Sequence, residues 1–336
     1  MHTEYLVIGQ GIAGTLLSRE LMARGADVLV IDDPVRVKAS LSAGGLLNPF
    51  SAREWTRMRS QEQYLPVALD TYRQLEEQLQ VPLLQELSLL LFPENEARRE
   101  LFNTAAAQMP GQLQVLSPEE QTSWLPYFHI PFGAGSVQPL HRVDAGLLLG
   151  CWRTYLAQRG ALLEEHFDPE LLHINDNGLS YQDISADYII FCEGSAGQHN
   201  PLFPRLPFTR NRGEALLLSV PGLPGDYVYH HELRLIPRSD GLFWCGSNYS
   251  WDFTDLRPDT AWRGATEQKL AHWLKLPFRI TEHLVAERPT TAGQRVMAIR
   301  HPAFPQVCLL NGLGTRGFSS GPWHVRQFCD QLLQPS

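Results

Sequence analysis

The sequence predicts an α/β protein: a Rossmann-like nucleotide-binding domain interrupted by an inserted α+β domain on a mostly antiparallel sheet. Three observations lead there. First, an apolar strand, a glycine turn and an amphipathic helix follow one another within residues 4–24, and ADVLVID closes a βαβ unit by residue 32. Second, ADYIIFCEGSAG (186–197) and LLNGLGTRGFSSGPW (309–323) are further buried runs that break into small residues. Third, β-rich segments punctuated by Pro and Gly lie between them, EALLLSV, RLIPRSDGLFWCGS and FRITEHLVAER.

Each element has a local reason. Residues 4–8 are aliphatic and β-branched, and IAGTLLSRELMAR (12–24) carries apolar side chains at helical spacing, with Gly25 as its stop. Residues 61–80 read as an amphipathic helix with Pro66 near its start. From 81 to 140 the pattern is irregular and short-stranded, with several prolines. A helix follows over 144–158, Gly160 stops it, and a strand follows at 161–167. One helix is expected near 259–274, a strand at 306–311, and a closing helix near 320–334. The nucleotide-binding domain is thus expected in three pieces, 1–80, 141–200 and 286–336, and the inserted domain in two, 81–140 and 201–285.

A chain of 336 residues, 43% hydrophobic and 19% charged, has enough apolar side chains for a large folded core. Its net charge of −8 gives no general attraction to nucleic acid or to an anionic membrane. No apolar run approaches the ~18 residues of a membrane span, and the chain enters a strand without a basic leader, so a cytoplasmic protein is expected. Cys151, Cys192, Cys245, Cys308 and Cys329 are widely spaced in mostly apolar surroundings and read as reduced core thiols, with no metal site.

GQGIAG sets Gly9, Gly11 and Gly14 in G-x-G-x-x-G spacing: a tight turn, a close backbone approach to a pyrophosphate, and close helix–strand packing. Ile12 and Ala13 open the helix whose free N–H groups and positive dipole end would face the phosphates. Asp32 follows Gly9 by 23 residues, the position of a carboxylate that accepts from ribose hydroxyls. The motif marks a dinucleotide site and leaves NAD and FAD both open.

Four further segments resemble the D-amino-acid oxidase and glycine oxidase-like family of FAD-dependent oxidoreductases. They are SLSAGGLLNP (40–49), IIFCEGSAG (189–197), LIPRSDGLFWCGSNY (235–249), and ERPTTAGQRVMAI (287–299) followed by NGLGTRGFSSGPW. They occur in the family's order along nearly the whole chain. The resemblance implies non-covalent FAD in a glutathione-reductase-like Rossmann domain, with the inserted domain binding substrate. It implies that Ser40, Ser42, Ala43, Gly44, Gly45 and Leu46 approach the flavin, and that Glu193 and Gly194 lie beneath the adenine half, with Asp33 and Phe167 also against the cofactor. It implies that Gly312, Gly314, Thr315, Arg316, Gly317 and Phe318 close around the isoalloxazine ring. Two departures stand out: Asp32 replaces a more frequent glutamate, and AGQRVMAI replaces an Asp and a Pro–Gly pair after Arg288-Pro289-Thr290-Thr291.

In such a family a hydride leaves Cα of an amine for flavin N5, and the imine hydrolyses. The resemblance therefore implies a small amine or amino-acid substrate and an acceptor that is oxygen or a quinone. Arg288 is the first candidate to hold a substrate carboxylate, because a planar guanidinium meets it bidentately. Tyr249, with Trp251, is a candidate pocket wall, and Arg316 and Arg53 are candidate cations near the ring. His230 and His231 are candidate lining residues, with no catalytic histidine assigned; Cys308 matches no flavin attachment motif. Two alternatives are an oxidase acting on a modified tRNA wobble uridine side chain, and a flavoprotein partner without turnover of its own. The acidic balance argues against nucleic acid.

Overall fold

Strand His2–Ile8 lies inside a sheet in which the strands run 297–300, 307–311, 184–191, 2–8, 28–31 and 162–163. The computed structural model describes residues 1–51, 53–175 and 178–333; residue 334 of the expected closing helix, and 334–336 of the expected last domain piece, lie outside them. Strand 2–8 pairs in parallel with Val28–Ile31 and with Ile184–Phe191, and the latter pairs in parallel with Val307–Asn311. A hairpin of Leu172–Asn175 and Gly178–Tyr181 pairs antiparallel with the start of strand 184–191.

A parallel sheet covered on both faces needs apolar residues at successive positions. Val7, Val28, Val30 and Ile190 face one core, and Leu6, Ile8, Leu29, Ile31, Ile189 and Phe191 face the other. The first core is closed by four helices: Ile12–Ala23, Arg59–Leu79, Ala145–Gln158 and Gly317–Leu333. Leu16, Leu17, Tyr72, Trp152, Val325 and Phe328 are their main contributions.

The second sheet runs 279–291, 208–219, 243–246, 234–237, 227–230, 84–91, 135–143 and 46–47, with 113–115 also on 135–143. Its pairs are antiparallel except 227–230 with 84–91. Leu46–Leu47 and 286–291, expected in the nucleotide-binding pieces, are strands of this sheet. Arg279–Thr291 continues to pair through Phe208↔Thr291, and Pro289 is accommodated because this strand is an edge.

Residues 81–140 are more regular than their sequence suggests. They contain strand Leu84–Leu91, helix Glu96–Gln108 and most of strand Gly135–Val143. The helix buries only Phe102, Ala105 and Ala106, so its apolar stripe is short. The strand contains Pro139 and buries His141 and Arg142, which hides its character. The strand expected at 161–167 shrinks to Leu162–Leu163.

Candidate functional site

A cavity of about 980 Å³ lies where the glycine turns of the parallel sheet meet the second sheet. Gly9 adopts φ +98°, and a Cβ there would stand 2.7 Å from Cys192 O, so the turn touches the end of the neighbouring strand. A Cβ on Gly14 would stand 1.8 Å from Gly9 O, which fixes helix Ile12–Ala23 close to its own turn. Ser40 Oγ accepts from the Ile12 N–H at 3.0 Å, bringing the segment after the second strand onto the helix N-terminus.

Asp32 is buried. Its Oδ1 accepts from the Gln10 N–H at 2.8 Å, and its Oδ2 is paired with Arg153 at 2.5 Å and Lys38 at 3.1 Å. Asp33 accepts from the Val35 N–H, which holds its carboxyl below the usual range, and lies 3.3 Å from His166 Nδ1. Glu193 accepts from Asn200 Nδ2 at 2.7 Å; burial pushes its carboxyl up. Phe167 stacks on Tyr181 and lines the same end.

The segment 40–46 is wedged between the two sheets. Trp244 Nε1 donates to Ser42 O at 3.0 Å, a Cβ on Gly44 would stand 2.7 Å from Ile236 Cδ1, and one on Gly45 would stand 2.0 Å from Val143 O. At the far turn, Asn311 Nδ2 donates to Gly194 O at 2.9 Å, while its Oδ1 accepts from the Gly312 N–H at 2.8 Å. One buried side chain thus ties the turn at 194 to the turn at 312. The Gly314 N–H reaches Pro289 O at 3.2 Å, joining that turn to the edge strand.

Arg288 projects from the edge strand across Gly213, where a Cβ would stand 2.1 Å from its Cζ. Its guanidinium donates to Asn211 Oδ1 at 2.5 Å, to Ser247 Oγ at 2.9 Å and to Asn248 O at 3.1 Å. It also sits 4.6 Å above the Tyr249 ring. Burial lowers its pKa from the ordinary arginine value.

Of the residues expected at the site, Gly14, Gly312, His230, His231 and Trp251 are not among those lining this cavity, and the others are. Gly312 has φ +80° and packs on Thr291 Cγ2. Arg53 and Arg316 line it and are exposed. His230, His231 and Trp251 do not line it: His230 is buried against Trp55, His231 stacks on Trp273, and Trp251 is exposed. Cys308 is buried in its strand.

Sequence reasoning missed Asn311, Asn211 and Arg234. Asn311 carries a signal in hindsight, a polar side chain closing an apolar strand before a glycine. Arg234 has a weaker one, a charge opening the apolar run RLIP. Among the described residues no cluster of potential metal ligands occurs, and no helix is long and apolar enough to cross a membrane.

The chain matches a family model described as FAD dependent oxidoreductase over residues 4–330. A curated relative, the tRNA 5-methylaminomethyl-2-thiouridine biosynthesis bifunctional protein MnmC of Caulobacter sp. strain K31, is 29% identical over 344 residues. That match takes in 97% of this chain and 54% of the relative, so the chain spans about half the length of the curated relatives it matches. Among solved structures, iminodiacetate oxidase from Chelativorans sp. BNC1 is similar at TM-score 0.79 and 22% identity, covering 99% of this chain and 96% of that one. Glycine oxidase from Geobacillus kaustophilus is similar at TM-score 0.77 and 18% identity, covering 100% and 96%. The cavity thus sits in a fold shared with these oxidases, and the chain belongs to the DAO family of FAD-dependent oxidoreductases, flavoprotein enzymes that bind FAD.

Proposed function

We propose that this enzyme oxidises the C–N bond of a small amine that carries a carboxylate, with FAD in the cavity and Arg288 as the carboxylate anchor. The observation that carries this reading is the company Arg288 keeps. Its charge meets only neutral acceptors, Asn211, Ser247 and Asn248, and no carboxylate pairs with it among the described residues. A partly buried guanidinium held by neutral groups keeps most of its affinity for an incoming anion.

The residues suit the cofactor. Gly9, Gly14 and Gly45 stand where a Cβ would collide with backbone, which lets chain and ligand approach closely. Gly9, Gly11, Ile12 and Ala13 would hold the pyrophosphate, Asp32 and Asp33 the ribose end, and Glu193, Gly194 and Phe167 the adenine side. Ser40, Ser42, Ala43, Gly44, Gly45 and Leu46, with Gly314, Thr315, Arg316, Gly317 and Phe318, would surround the reactive ring. Bound FAD supplies a two-electron acceptor. Arg288 orients the substrate by its carboxylate, and Tyr249 holds the guanidinium from its exposed side. The N-terminal end of helix Gly317–Leu333 favours negative charge on that side of the cavity.

A test is anaerobic addition of glycine, sarcosine and a series of D-amino acids to the yellow protein. Loss of the visible flavin band with at least one of them is expected. No loss with any amine would remove this reading and favour a flavoprotein partner. Repeating the active case with air and with a quinone analogue separates oxidase from dehydrogenase.

A second reading is oxidation of a carboxymethylaminomethyl side chain on tRNA, itself an N-substituted glycine that Arg288 would hold in the same way. The curated relatives favour it, as do Arg53 and Arg316, exposed at the cavity with no carboxylate partner among the described residues. Flavin bleaching by modified tRNA but by no free amine would select it.

A further inference from the structure

The strand register places a second arginine on the sheet face that carries Arg288. Arg288 stands opposite Asn211, Ala215 opposite Gly246, and Gly246 opposite Arg234. Asn211, Gly213 and Ala215 alternate along one strand and so share one face. Arg288 and Arg234 therefore stand on one face of four adjacent strands, on rows set apart by the step from Asn211 to Ala215. Past Asn211, the positions between them are Gly213, Ala215 and Gly246, with the Arg288 guanidinium lying over Gly213 and the Trp244 ring bordering Gly246. Gly213, Ala215, Gly246 and both arginines line the cavity.

The two arginines differ in how the protein meets them. Arg288 has the three neutral acceptors already described. The Arg234 side chain makes no hydrogen bond or ion pair among the described residues; its Nε lacks an acceptor, as do those of Arg19, Arg142 and Arg212. The cross-strand neighbours of Arg234 are Gly246 and His230, neither of them acidic. Other largely buried arginines have acids: Arg19 has Glu20, Arg142 has Asp144 and Arg212 has Glu214. Burial lowers the pKa of Arg234, and Tyr249 alone opposes that effect. A partly buried guanidinium without an acid keeps its charge available to an anion, and the cavity is the space that Arg234 lines.

We propose that Arg234 is a second anion-binding group of the substrate cavity, selecting amino acids that carry a further carboxylate besides the one held by Arg288. The inference rests on the proposed C–N oxidation for the identity of the first carboxylate. Glycine-like substrates would leave Arg234 unmatched, and an N-linked or side-chain dicarboxylate would engage both cations.

Oxydiacetate and methoxyacetate differ by one carboxylate, and neither has a C–N bond. Each is titrated into the FAD-loaded protein and followed by perturbation of the flavin spectrum and by calorimetry. Oxydiacetate is expected to bind roughly 10- to 100-fold more tightly. Arg234→Met is expected to cut that preference to within about threefold, and Arg234→Lys to keep part of it. Equal affinity for the two ligands in the unaltered protein overturns the proposal without any variant, as does a preference that survives in a folded, yellow Arg234→Met protein. If neither iminodiacetate nor any member of the glycine, sarcosine and D-amino-acid series bleaches the flavin while the Arg234-dependent preference persists, the anion subsite stands and oxidation of a small amine falls. If sarcosine bleaches it and no preference exists, C–N oxidation stands and the subsite falls.

Discussion

Gly317, the first residue of the last helix, lies against Ile12, the first residue of the first helix: a Cβ on Gly317 would stand 3.0 Å from Ile12 Cγ2. About one turn further along each helix, a Cβ on Gly321 would stand 2.9 Å from Leu16 Cδ1. Two helix N-termini, each a positive dipole end, therefore converge beside one cavity. That arrangement suits an electron-rich, anionic ligand.

Gly317→Val is expected to destabilise the fold by about 1–3 kcal/mol, since the added carbons enter a filled contact. Urea unfolding with flavin content measured alongside checks this. The variant should lose FAD in step with its stability, and unchanged values for both would contradict the packing described.

Arg288→Met removes the proposed carboxylate anchor. Affinity for the best amino-acid substrate should fall by roughly 1.5–3 kcal/mol, while the visible flavin spectrum of the isolated protein persists. Stopped-flow reduction across a substrate series gives the number. An Arg288→Met protein that reduces as readily as the unaltered one would dismiss the anchor.

Asp32→Asn keeps an acceptor for the Gln10 N–H but leaves Arg153 and Lys38 without their shared carboxylate. With those partners 22% and 14% exposed, a loss of about 1–3 kcal/mol is expected. Chemical denaturation at neutral pH is the measurement.

His230 is held neutral by burial, with the Arg234 charge reinforcing the effect. Below the ordinary histidine value of about 6.5, the unfolded chain takes up a proton that the folded one refuses. The unfolded state then binds more protons, so stability rises with pH through this window and is lost as pH falls below it. His230→Gln should flatten the decline by up to about 1.4 kcal/mol per pH unit, read from melting curves between pH ~5 and ~7. An unaltered slope would place the acid sensitivity elsewhere, among His141, His231, His283 and His324, whose pKa values burial also lowers.

The parallel sheet was legible because its strands are buried on both faces, so Leu6–Ile8, Val28–Ile31 and Ile189–Phe191 appear as unbroken apolar runs. Helix Glu96–Gln108 was not, because two of the three residues it buries are alanines. At the cavity, the glycine turns were readable from spacing alone. Arg153 and Lys38 were not readable as partners of Asp32, because nothing local in the chain links them. Arg234 and Arg288 share a sheet face only through the register of three strand pairs, which a linear pattern does not carry.

The central strand His2–Ile8 is synthesised well before its neighbour Ile184–Phe191 and that strand's partner Val307–Asn311. One edge of the early strand must stay open until Ile184–Phe191 has been synthesised. Vectorial synthesis thus leaves a long interval in which chaperones have reason to hold this polypeptide, and uptake of the dinucleotide becomes one of the last events of maturation.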